Sequence, residues 1–118
     1  MSLRGNSQIN TQIFILRIFA FVAQAQENKF AAKRSANALE HISSNMDLSE
    51  SDMVFLKETL YDKYASNASK IRGKNLTQDE KKSIYRAAYK ETRDLLMTVF
   101  SKEQVNMITK FERESNQK

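Results

Sequence analysis

The chain carries no proline and only two glycines, Gly5 and Gly73, in 118 residues. Strands joined by tight turns need residues that supply a positive or fixed φ at each reversal. Ala, Leu, Lys, Glu, Gln and Arg, all good helix formers, dominate what remains. The fold class that follows is all-α. The length allows a single domain. So short a domain buries a modest core, and self-association is therefore expected.

The residue inventory also narrows the chemistry. With no cysteine, a disulfide scaffold, a thiolate metal site and a cysteine nucleophile are excluded. His41 is the one histidine, and a metal site would have to combine it with carboxylates such as Glu40 or Asp47. It reads instead as a partly exposed helix histidine, so no metal and no cofactor is expected. No glycine-rich phosphate loop is present, and no serine or lysine is marked as an activated nucleophile. No catalytic residue is assigned, and the chain is expected to bind rather than catalyse. Asn67-Ala68-Ser69 and Asn75-Leu76-Thr77 match the glycosylation sequon, but Thr77 is better explained as a helix cap.

The N-terminus has the layout of a secretory signal peptide. Residues 1–12 are polar with one cation, Arg4; residues 13–23 (IFILRIFAFVA) are apolar apart from Arg17; Ala23-Gln24-Ala25 is a small-x-small cleavage pattern. The apolar run is too short to span a bilayer. The expected organisation is a signal peptide over 1–25 and one helical domain over 26–118. Cleavage would remove Arg4 and Arg17, leave a net charge of +3 and no membrane span, and give a secreted product. The alternative is that residues 13–23 stay on the protein as a buried first helix.

Four helices are predicted downstream. The first runs from Lys29 to Asn45, with Ala32, Ala36, Leu39, Ile42 and Met46 as its apolar stripe. The second runs from Glu50 to about Arg72, with Met53, Leu56, Leu60, Tyr64, Ala68 and Ile71 inward, and Gly73 ends it. The third covers Gln78 to Val99, with Ile84, Ala88, Leu95 and Val99 inward. The fourth covers Lys102 to about Glu114, with Val105, Ile108 and Phe111 inward. The second and third helices are expected to form a long hairpin.

Three of the helix starts share one pattern. Leu48-Ser49 precedes Asp52, Leu76-Thr77 precedes Glu80, and Phe100-Ser101 precedes Gln104. Each is an apolar residue, a hydroxyl residue, and an acid or amide three positions on. That is a capping box, in which the hydroxyl accepts from an orphan backbone N–H and the later side chain accepts from the cap's own N–H. Asp52 is one methylene shorter than Glu80 or Gln104.

These starts resemble the Leu-Thr-x-x-Gln motifs of bacterial periplasmic proteins of the Spy and CpxP type. Phe100 to Gln104 is similar to the C-terminal copy, and Leu48 to Asp52 to the first. Lys33 to Leu39 resembles the basic helix before the first copy, and Tyr61 to Ala65 the helix after it. The resemblance covers residues 29–112, although no copy matches the full motif letter for letter. It implies a thin, curved, helical homodimer in the periplasm. It also implies an ATP-independent chaperone for unfolded envelope proteins or a modulator of a membrane stress sensor.

Charge is concentrated in one segment. Formal net charge is +5, and the stretch from Lys70 to Arg93 holds eight basic residues against Asp79, Glu80 and Glu91. On the third helix Lys82, Arg86, Lys90 and Arg93 recur at three- and four-residue spacing, with Tyr85 and Tyr89 beside them. These six are the candidate client-binding residues: the cations would steer acidic segments, and the tyrosines would give tolerant apolar contact. Two other readings stand beside this one. The face could be simply solvated, or it could grip nucleic acid through phosphate contacts and stacking, as a small cytosolic module.

Overall fold

A computed structural model of the chain describes residues 28–117, and the proposed signal peptide and the alternative helix over 13–23 lie outside the described residues. Within them the protein is all-α: α1 (Lys29–Asn45), α2 (Glu50–Ile71), α3 (Gln78–Leu96) and α4 (Lys102–Ser115). No helix among the described residues is long and apolar enough to cross a membrane.

Each helix starts at a side-chain cap. Asn28 accepts from the Ala31 N–H at 2.8 Å to open α1. Ser49, Thr77 and Ser101 each accept from the third residue on, and the capping box is closed in all three. The return bonds differ as side-chain length dictates. The Thr77 and Ser101 N–H groups reach Glu80 and Gln104 at 2.9 Å, whereas the Ser49 N–H reaches the shorter Asp52 at 3.5 Å. At the other end of α2, the Arg72 N–H donates to the Ala68 carbonyl and Gly73 follows at φ +74°. A side chain there would be strained by its own backbone, which is why glycine stops this helix.

Packing departs from the predicted stripes in α1 and α3. The inner face of α1 is Ala31, Ser35, Ala38 and Ile42; Ala32 and Ala36 face solvent. Ala, Ser and Ala let neighbouring helices come close, and the Ser35 hydroxyl is satisfied within its own helix by the Ala32 carbonyl. Alanines on both sides of the helix gave periodicity too little contrast to fix the phase. In α3 the helix ends at Leu96 rather than Val99. The N–H groups of Thr98 and Val99 turn back to the carbonyls of Leu95 and Leu96, three residues earlier, which tightens the last turn. That rotation buries Leu96 and Phe100 and leaves Val99 exposed.

Helix α1 packs on α2 and α4, and α3 packs on α2. The core is one cluster built from Ile42 of α1, Leu56 and Leu60 of α2, Leu96 and Phe100 at the end of α3, and Val105 and Ile108 of α4. Each fully buried aliphatic side chain contributes about 1.5–3 kcal/mol. Clefts open on both sides of α3 where it crosses α2.

Candidate ligand-binding cleft

At the crossing of α2 and α3 the small Ala88 is buried, and with Lys63 and Asn67 it lines a cleft on either side. The larger cleft, about 710 Å³, is closed by the start of α1 and the end of α4. Its aromatic wall is Phe30 from α1, Tyr64 from α2, and Tyr85 and Tyr89 from α3. Ala68 and Ile71 extend the apolar surface along α2. Its cations are Arg34, Lys63, Arg72 and Arg86, against one acid, Glu112.

Glu112 accounts for one of those cations. It is buried, and one of its carboxylate oxygens accepts from both the Lys63 ammonium and the Tyr64 hydroxyl. Above the Tyr64 ring, at 4.8 Å from its centroid, lies the Arg34 guanidinium, whose Nε donates to Asn116 at 3.0 Å. Burial and the adjacent Glu112 charge push the Tyr64 phenol well above its ordinary range. This polar floor ties α1, α2 and α4 together beneath the aromatic wall.

The remaining three cations are not neutralised in this way. Among the described residues, no carboxylate lies within 4.0 Å of Arg34, Arg72 or Arg86. The smaller cleft on the far side of α3, about 530 Å³, has a different character, with Asp62, Glu91 and Asp94 beside Lys63 and Lys70 in its lining. The α2–α3 crossing thus separates a basic aromatic face from one of mixed charge.

The six candidate residues of α3 divide between these surroundings. Tyr85, Arg86 and Tyr89 line the larger cleft, and both tyrosines are about half exposed, at 52% and 45%. Lys82 is exposed and outside the cleft lining. Lys90 donates to Asp94 at 2.9 Å, and that hydrogen bond and charge push its pKa up. Arg93 donates to Asn106 of α4 at 2.9 Å and lies 6.0 Å from the Tyr89 ring centroid. Lys90 and Arg93 therefore already have partners within the fold.

Sequence reasoning did not identify Phe30, Arg34, Lys63 or Glu112 as parts of one site. Glu112 left a signal. It follows Val105 and Ile108 at three- and four-residue spacing, and an acid on an apolar stripe implies a buried, paired carboxylate. His41 bonds to Glu114 at 2.9 Å, with its ring edge against Phe111, rather than to Glu40 or Asp47. The nine motif residues lie apart from this cleft: they hold the helix starts, with Leu48 and Phe100 packed in or against the core. No family model, curated protein or solved structure matches the chain.

Proposed function

We propose that the protein is an exported helical binding protein that holds non-native polypeptide, an ATP-independent periplasmic chaperone or envelope-stress modulator. The observation that carries this reading is the open basic cleft, in which four aromatic rings stand beside three arginines that have no carboxylate within 4.0 Å among the described residues. Such a surface attracts acidic segments over a distance and accepts varied apolar side chains at contact. A cleft open on one side binds weakly and releases without an energy source. The capped helix starts support the same reading through their resemblance to the Spy and CpxP type.

A homodimer is part of the proposal. Val54, Met97, Val99 and Met107 are exposed and lie outside the cleft, so they offer apolar area for pairing two chains while leaving the cleft free.

The test is suppression of aggregation. Light scattering from a reduced, denatured client is followed with and without the purified protein, at low and at high salt. Protection at low salt that weakens as salt rises is expected. No protection at low salt contradicts the proposal.

A further inference from the structure

Tyr85, Arg86 and Tyr89 put two rings and a cation into the cleft lining from about one turn of α3, and Arg72, at the end of α2, lines the same cleft. Side chains three or four apart on a helix are neighbours at about 5–6 Å. In an extended peptide, side chains two residues apart point the same way and are separated by roughly 7 Å. An aromatic residue and an acid in the pattern aromatic-x-acid would therefore meet a ring and a guanidinium together.

We infer that this cleft selects extended peptide segments carrying an acidic residue two positions from an aromatic one. The carboxylate is received by Arg86 and Arg72, and the ring lies against Tyr85 and Tyr89. The inference rests on the reading of the cleft as a polypeptide site, and names the segments it prefers.

Charge complementarity commits the site to an anion. Arg72 and Arg86 have no carboxylate within 4.0 Å among the described residues, while Glu112 spends its charge on Lys63 at the floor. A planar guanidinium accepts a carboxylate through paired N–H bonds, an interaction roughly twice as strong as a neutral hydrogen bond. Of the other candidate cations of α3, Lys90 bonds to Asp94, Arg93 bonds to Asn106, and Lys82 is outside the lining, so on this helix Arg86 is the cation that the cleft presents.

The test uses the full chain and three labelled nine-residue peptides, blocked at both ends and followed by fluorescence anisotropy. Their centres are Phe-Ser-Glu, Phe-Ser-Gln and Ala-Ser-Glu. The first is expected to bind about tenfold more tightly than either of the others, as one charge-assisted contact warrants. Arg72→Gln with Arg86→Gln, both on exposed positions, should bring the Glu-to-Gln affinity ratio from about tenfold down to about one. Equal binding of the Glu and Gln peptides overturns the inference, as does a double variant that weakens both alike. Displacement of the Glu peptide by a single-stranded oligonucleotide at equal concentration also overturns it, in favour of a nucleic-acid site. Client protection without Glu preference would leave the holding function standing and sink the inference alone. Glu preference without client protection would do the reverse.

Discussion

The hydroxyl of Tyr64 donates to the carboxylate of Glu112, 48 residues away in sequence, and the same oxygen receives the Lys63 ammonium. This contact joins the middle of α2 to the end of α4 beneath the candidate cleft. A buried charge with good partners adds little net stability, but removing one partner strands the others. Glu112→Gln is expected to cost about 3 kcal/mol, read from urea denaturation. Replacing all three together (Lys63→Met, Tyr64→Phe, Glu112→Leu) should return stability to within about 1 kcal/mol of the parent. A Gln variant as stable as the parent would mean that the trio carries no buried charge.

The same contact sets an alkaline limit. Folding raises the Tyr64 pKa above its ordinary value of 10.0, first through burial and then through the Glu112 charge. The folded phenol keeps its proton at pH values where the unfolded one loses it. Its contribution is whole below pH 10 and is lost as pH climbs through the folded pKa. Unfolding free energy should therefore fall with rising pH from near pH 10 onward. Tyr64→Phe should show a shallower fall, measured by denaturation across that range.

Helix caps offer three matched sites. Ser49→Ala, Thr77→Ala and Ser101→Ala should each lower stability by about 1 kcal/mol. The long Ser49–Asp52 bond makes Asp52→Glu a gain of up to about 0.5 kcal/mol, visible as a raised melting temperature. The second box has a charge and the third does not. Hydrogen bonds from the Thr77 backbone and then its side chain hold the Glu80 pKa below its ordinary 4.5. Its contribution is present above that value and is lost as pH falls through the folded pKa. Glu80→Gln should remove this acid dependence while keeping the box, as Gln104 does at Ser101.

Export has its own readout. Fractionation followed by intact-mass analysis should give a secreted product beginning at Gln26. A cytosolic product that retains residues 13–23 would make that segment part of the folded protein and favour the nucleic-acid reading.

Three helix starts and one stop were legible in the sequence because local chemistry sets them. Ser49, Thr77 and Ser101 cap, and Gly73 stops, whatever the rest of the chain does, whereas the Asn28 cap and the end of α3 at Leu96 were not read. Burial phase was harder. Alanines at 31, 32, 36 and 38 leave α1 nearly featureless, and Ser35 at its inner face looks polar until its hydroxyl is seen bonded to its own helix. The site was half legible. Tyr85, Arg86 and Tyr89 share a helix and could be grouped by spacing, whereas Phe30, Arg34, Lys63 and Glu112 meet them only through tertiary packing. Lys90 and Arg93 looked equivalent to Arg86 by periodicity, and their partners Asp94 and Asn106 separate them.

The most direct measurement is a backbone and side-chain NMR titration of the whole protein with a permanently unfolded client. Shifts should be largest at Phe30, Arg72, Tyr85, Arg86 and Tyr89, with Val54 and Met107 little changed. Shifts centred on Lys82, Lys90 and the surface away from the cleft, or none at all, would contradict the account.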